Sequence, residues 1–229
     1  MARIILTETS TSLCSVALAE DGKVVAYKED DGRRHASMLA PLIAELLEER
    51  QLKVTDCDAV AVSMGPGSYT GLRVGVSSAK GLCFGAGLPL VGVTSTEVLV
   101  HQALEGGFLP RGCKYIVPMI DARRMEVYTA TYSAAGELTG SICAKVVDGE
   151  SFSGLLAEGP VLFIGDGALK CREVIASDNA HFVGICPDAR GLATPAQREY
   201  DEKRFKDIAY FEPFYLKDFV ATVSRKKLF

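Results

Sequence analysis

An α/β fold of two related lobes is the class that this sequence predicts, and three observations lead to it. Short apolar strands alternate with amphipathic helices along the chain. At residues 59–85 an apolar strand runs into a glycine-rich turn and then into a helix of small residues, the order of an α/β unit. Finally, the strand–turn–strand–turn–strand grammar of residues 4–28 returns from residue 115 onward. A repeat on the order of a hundred residues indicates a duplicated half-domain, because solenoid repeats are far shorter.

The elements follow in order. Residues 4–6 form a strand, residues 7–12 a polar turn, residues 13–19 a second strand, Glu20-Asp21-Gly22-Lys23 a hairpin turn, and residues 24–28 a third strand. Residues 35–50 place Leu39, Leu42, Ile43, Leu46 and Leu47 on one helical face, with Pro41 early, where a helix tolerates it best. The helix over 70–85 carries Gly71, Gly75 and Gly81. Each glycine costs about 1 kcal/mol against alanine, so this helix is expected to lie against another backbone at short range. A strand at 89–93 leads to Thr94, which has capping-box spacing to Glu97 and opens a helix through about Leu104. Gly106-Gly107 is the best boundary, dividing the chain into 1–106 and 107–229.

In the second half, residues 115–120 are a strand, Asp121-Ala122-Arg123-Arg124 a polar turn, residues 125–132 a strand, and Leu138 the start of a third. Asp121 stands where Glu8 stands in the first half. A strand at 161–164 ends in Gly165-Asp166-Gly167. A helix is expected over 194–209 with Pro195 at its first position. Phe214 and Tyr215 are expected in the core. The basic residues Arg225-Lys226-Lys227 read as a solvated terminus or a nucleic-acid contact.

Composition narrows the function. The 229 residues are 48% hydrophobic and 24% charged, which is ordinary for a globular protein. A net charge of −4 gives no global basic field, so any nucleic-acid contact must use a local patch or a partner. Residues 1–6 are too short for a secretory leader, and no apolar run approaches about 20 residues. Seven scattered cysteines without a C-x-x-C pair read as reduced cytoplasmic thiols. His35, His101 and His181 lack metal-ligand spacing, and there is no G-x-S-x-G elbow. Cys14, Cys57 and Cys83 lie in apolar surroundings and are expected to be inert.

The most informative run is GPGSYTGLRVG, residues 65–75. Its glycines admit close approach, and Ser68 or Thr70 can cap a helix start whose free N–H groups can hold an anion. It lacks the P-loop lysine and is not G-x-G-x-x-G. Two readings stay open: a phosphate cradle, or a turn that packs a helix tightly on a sheet. Glu8 and Asp121 are either paired carboxylates in a cleft or turn caps. Arg73 and Arg123 meet phosphate or a partner's carboxylate, or else only pair on the surface.

The chain resembles the bacterial TsaB (YeaZ) proteins, relatives of the ASKHA group that contains actin, sugar kinases and Hsp70. The resemblance rests on RIILTETSTSLCSVAL at 3–18, residues 35–41, GPGSYTGLRVG at 65–75, IDARRMEVY at 120–128, Gly165-Asp166-Gly167 and PFYLK at 213–217. It implies two pseudo-symmetric ASKHA lobes, a partner-binding one at 1–106 and a second at 107–229 whose C-terminal segment packs back on the first. It also implies a noncatalytic cytoplasmic subunit that binds TsaD, with TsaE joining. TsaD would transfer the threonylcarbamoyl group of an adenylate made by TsaC to the adenosine next to the anticodon of tRNAs reading codons that begin with A.

On this reading the chain alone forms a homodimer, meets tRNA only through the complex, needs no metal or cofactor of its own, and leaves the interface with TsaD as the place for ATP or ADP. Leu39, Leu42, Ile43, Leu46, Arg73, Val74 and Ser78 would bind the partner; the alternative is that both helices only cover their own sheet. Glu8, Thr9, Gly65, Gly67, Asp121, Arg123, Gly165 and Gly167 would line a degenerate nucleotide cleft. One departure weakens that cleft: the family's first-turn aspartate is Glu8 here, and no glycine lies between Thr7 and Leu13. The competing readings are an ASKHA-fold enzyme with its own ATPase or acyl-transfer activity, and a glycoprotease-like peptidase.

Overall fold

The computed structural model describes residues 1–217. The basic residues at 225–227 lie outside the described residues.

The first half builds one sheet. Strands β1 (Arg3–Glu8), β2 (Cys14–Glu20) and β3 (Lys23–Asp30) form an antiparallel meander, and β4 (Ala59–Ser63) and β5 (Leu90–Val93) join parallel to β1. The strand order is β3-β2-β1-β4-β5. Helices α1 (His35–Glu49), α2 (Tyr69–Ala86) and α3 (Ser95–Glu105) connect them.

The second half repeats this path. Strands β6 (Tyr115–Asp121), β7 (Glu126–Thr129) and β9 (Cys143–Val146) are antiparallel neighbours, and β10 (Val161–Ile164) and β11 (Ala180–Val183) follow parallel to β6. The order β11-β10-β6-β7-β9 is the first sheet's path over again. A two-residue strand β8 (Tyr132–Ser133) pairs with β6, and the helices are α4 (Ser153–Glu158), α5 (Ala168–Cys171) and α6 (Ala193–Asp201).

Period-two alternation decides which face meets which helix. In the first sheet Ile5, Val16, Leu18, Val60 and Val62 face α1 and α2, whereas Ile4, Leu6, Ala17, Ala59 and Ala61 face Val98, Leu192 and Ala196. In the second sheet Val117, Met119 and Phe163 face α4 and α5, and Ile116, Ile120, Leu162 and Ile164 face α3. Helix α3 is therefore shared. Val98 enters the first lobe's core, while Leu99, Val100 and Ala103 enter the second's. The glycine pair after α3 separates the two sheets in sequence, but α6 comes back across that boundary to pack on the first sheet.

Several expectations need correction. The helix expected over 194–209 stops at Asp201; it starts from a 3-10 turn at Ala189–Leu192, and Pro195 is its third residue. Lys203 turns the chain with φ 56°, and the Lys206 N–H then donates to the Leu90 carbonyl at 2.8 Å, covering the free edge of β5. The strand expected at 125–132 is split, because β7 pairs with both β6 and β9 whereas Tyr132 returns to Ile116. Leu138 makes only an isolated bridge to Tyr132, and the third strand begins at Cys143. Tyr215 is 38% exposed and stacks on Tyr69, with ring centroids 4.9 Å apart.

The end of the described chain joins the two lobes. Lys80 Nζ donates to the carbonyls of Ala209 at 3.3 Å and Phe211 at 3.0 Å. The Phe214 N–H donates to the Met64 carbonyl at 2.7 Å. Lys217 pairs with Glu126 of β7 and lies over the Tyr128 ring.

Candidate functional site

The strand–turn–helix run forms as its residues dictate. Strand β4 ends at Ser63, the chain turns at Gly65 with φ 113°, and the Ser68 hydroxyl caps α2 by accepting from the Gly71 N–H at 3.3 Å. The space in front of this helix start is not open to an anion. The turn after β1, Thr9-Ser10, lies directly on it. The Ser68 N–H donates to the Ser10 carbonyl at 2.6 Å, and the Thr9 hydroxyl donates to the Gly71 carbonyl at 2.8 Å.

The glycines make this fit possible. A Cβ on Gly67 would sit 2.3 Å from the Ser10 carbonyl oxygen, one on Gly71 2.1 Å from the Thr9 carbonyl oxygen, and one on Gly75 2.3 Å from the Thr9 hydroxyl. Of the two readings of this run, the structure realises the tight packing turn. Gly81 and Gly85 differ, since among the described residues no atom outside the helix's own backbone lies within 4 Å of a Cβ at either.

Glu8 closes the bottom of the turn. It is fully buried, its Oε1 accepts from the Ser10 N–H at 2.5 Å, and its Oε2 has no hydrogen-bond partner among the described residues. Burial raises its pKa above the usual carboxylate value, against the smaller opposing pull of Ser10 and Ser63, and buried Asp188 adds to the rise. The Ser10 and Thr11 hydroxyls beside it are also buried without a partner. Asp188, which the sequence reading did not single out, is bound by Gln102 Nε2 at 2.7 Å and by Arg190 at 2.8 Å, and Arg190 in turn lies over Tyr27.

The second group sits at the end of β6. The Asp121 N–H donates to Asp166 Oδ1 at 3.0 Å, and Asp121 pairs with Lys170. Burial pushes Asp166 up to about 6, against the opposing Asp121 N–H. Gly165, with φ 139°, and Gly167 seat this turn on β6, where a Cβ on Gly165 would come 2.1 Å from the Met119 carbonyl oxygen. Arg123 and Arg124 form the hairpin tip, with φ 69° and 51°. A left-handed conformation costs a residue other than glycine about 1 kcal/mol or more.

The proposed cleft residues thus form two separate groups. Glu8, Thr9, Gly65 and Gly67 belong to the first; Asp121, Arg123, Gly165 and Gly167 belong to the second. Among the described residues no hydrogen bond or ion pair joins the groups, and Glu8 and Asp121 are not a carboxylate pair. Each instead caps its own turn, through Ser10 and Arg123 N–H groups respectively. Arg73 makes no ion pair among the described residues; it is exposed and lies over Tyr69.

Nucleophiles are equally unprepared. Burial pushes the thiols of Cys14, Cys57 and Cys83 each up to about 11, the opposite of activation. The Ser63 and Ser95 hydroxyls are 2.7 Å apart and buried.

The partner stripe also needs correction. Leu39, Leu42, Ile43 and Leu46 are buried in the first lobe's own core with Leu47. Each such leucine stabilises the lobe by about 1.5–3 kcal/mol, so a charge at Leu42 reports on folding and not on docking. Arg73 is exposed, Val74 and Ser78 are half-buried, and Phe84 is 84% exposed.

Comparison with known proteins agrees with this architecture. The family described as "TsaD: tRNA N6-adenosine threonylcarbamoyltransferase" matches residues 28–224. The tRNA threonylcarbamoyladenosine biosynthesis protein TsaB of Escherichia coli is 31% identical over 96% of this chain and 96% of its own length. A Pseudomonas aeruginosa protein with similarity to peptidase YEAZ superposes with a TM-score of 0.82 at 26% identity, covering 95% of this chain and 100% of that one. An activator of 2-hydroxyisocaproyl-CoA dehydratase from Clostridium difficile, solved with bound ADPNP, shares the fold alone, with a TM-score of 0.53 at 10% identity over 88% of this chain and 97% of that one. With its repeated ASKHA-type sheets and these relatives, the chain belongs to the TsaB (YeaZ) family of tRNA threonylcarbamoyladenosine biosynthesis proteins.

Proposed function

We propose that this chain is a noncatalytic cytoplasmic subunit that docks on TsaD, is joined there by TsaE, and is required for threonylcarbamoyl transfer to tRNA. The observation that carries the noncatalytic part is the occupied helix start. Where a nucleotide phosphate would need free N–H groups at the start of α2, the Ser68 N–H already donates to the Ser10 carbonyl, the Gly71 N–H donates to the Ser68 hydroxyl, and the Thr9-Ser10 turn lies across the helix start with the Thr9 hydroxyl on the Gly71 carbonyl. ATP or ADP is then left to the interface with TsaD, and this chain's role is to shape its partner.

The docking surface is the outer face of α1 and α2. Ala36, Ala40 and Ala44 are exposed along α1; Ser77, Gly81 and Phe84 are exposed along α2. Small residues there allow a close helix–helix approach, and Phe84 offers an aromatic anchor. Among the described residues nothing packs on Gly81 or Gly85 that would account for glycine in a helix. In the absence of TsaD the same face would meet a second copy.

The test is to mix the chain with the TsaD of the same organism, read the complex by size-exclusion with light scattering, and assay tRNA modification. A heterodimer that restores modification, with no activity from this chain alone, is the expected result. Gly81→Glu should weaken the heterodimer by about tenfold or more and leave the melting temperature of the chain intact. A wild-type chain that forms no complex, or Gly81→Glu protein that binds like wild type, would count against this surface.

A further inference from the structure

We propose that the β6–β7 hairpin tip is a phosphate-backbone contact, in which Arg123 and Arg124 grip the tRNA brought to the complex. This rests on the tRNA-modifying role proposed above. The two arginines are consecutive, exposed and left-handed, at φ 69° and 51°. A tight hairpin turn asks for asparagine and glycine at such positions, so nothing in the backbone calls for arginine at either. Strain of this kind persists only where the surroundings fix it.

They do fix it. Asp121 Oδ1 accepts from the Arg123 N–H at 2.9 Å, the Ala122 N–H donates to the Glu126 carbonyl at 3.1 Å, and the Val147 N–H donates to the Met125 carbonyl at 2.8 Å.

The local charges show what the tip is free to bind. Three carboxylates, Asp121, Glu126 and Asp166, stand within reach of the hairpin base. Asp121 is paired with Lys170, Glu126 with Lys217, and Asp166 is half-buried with its Oδ1 accepting from the Asp121 N–H. Neither guanidinium has an ion pair or a side-chain hydrogen bond among the described residues. Each is a planar fork that matches phosphate oxygens, held at a preorganised tip. In a chain of net charge −4, a local basic point of this kind is the form that a nucleic-acid contact must take. Backbone phosphate recognition needs no base-specific partner.

The experiment titrates fluorescent tRNA with the chain alone and with the chain mixed with TsaD, over a series of salt concentrations. The variant is Arg123→Asn with Arg124→Asn, since asparagine accepts the left-handed turn and removes both charges. Arg111→Asn, an exposed arginine elsewhere, is the charge control. The expected result is an intact heterodimer, tRNA affinity lower by about three- to tenfold, and a slope of log K against log salt shallower by about one to two. The double lysine variant should restore most of the slope. Unchanged affinity and slope overturn the proposal, as does an equal loss in Arg111→Asn. Loss of the heterodimer in the asparagine variant would assign the tip to a protein carboxylate and overturn it too. If even the wild-type chain fails to bind TsaD, the docking reading falls, and this one falls with it unless the chain alone shows arginine-dependent tRNA affinity.

Discussion

Gly71→Ala should destabilise the chain by about 3 kcal/mol or more, the range of severe overpacking against fixed backbone. An alanine ordinarily favours a helix over glycine by about 1 kcal/mol, so propensity predicts the opposite sign. Position 71 reverses it because the new methyl would lie 2.1 Å from the Thr9 carbonyl oxygen. Relief is blocked on both sides. The Thr9 strand end is held by its own hydroxyl on the Gly71 carbonyl, and the adjacent Ser10 carbonyl is held by the Ser68 N–H. Gly81→Ala is the matched comparison, in the same helix with open space around it, and should be neutral or slightly stabilising. Urea unfolding of the two variants checks the pair. Equal stability for Gly71→Ala and wild type would mean that the Thr9-Ser10 turn is not seated on α2, and the helix start would again be available to an anion.

How much of this was legible in the residues differs from place to place. The doubled sheet was, because strands buried on both faces read as short continuous apolar runs, as in residues 4–6 and 115–120, and the recurrence of the meander needed no knowledge of contacts. The glycine run was visible but ambiguous. A bound phosphate and a neighbouring carbonyl make the same demand on a helix start, which is N–H groups and no Cβ, so Gly67 and Gly71 read alike in either case. What separates the readings is the position of Thr9 and Ser10, sixty residues away in sequence and beyond any local signal.

The α1 leucines failed for a related reason. A helical stripe states which side is apolar, and one's own sheet and a partner satisfy it equally. The partner reading is better carried by the positions that the stripe leaves out, Ala36, Ala40 and Gly81, whose signal is smallness without an internal reason for it. The end of α6 was set by the bridge to β5, distant in sequence, and the β7–β8 split by pairing with both β6 and β9, which no single strand's residues announce.

Glu8→Gln should stabilise the chain at neutral pH by about 1–3 kcal/mol, the penalty of a buried polar atom left unpaired, and the gain should fade in acid. The sign follows from burial. The folded chain holds the Glu8 proton more tightly than the unfolded chain does, whose carboxyl has its ordinary value of 4.5. Stability from this group is therefore fully present below about 4.5 and is lost as the pH rises through the folded value. Other carboxylates work the other way. Asp30 and Glu199 are held low chiefly by Arg34 and Arg204, and the stability they contribute is lost as the pH falls. The difference between the variant and the wild type at each pH isolates Glu8.

A glutamine keeps the oxygen that accepts from the Ser10 N–H and puts a neutral N–H₂ group where the buried Oε2 stands, so no buried charge remains at any pH. Denaturant unfolding of both proteins from about pH 4 to pH 8 makes the comparison. The expected curve of the difference starts near zero in acid and rises to a plateau. A variant that is less stable by the same amount throughout would show that the turn needs the carboxylate as an anion. The residue in the family's aspartate position would then be held for its charge, and the ion-binding role that the occupied helix start argues against would have to be reopened.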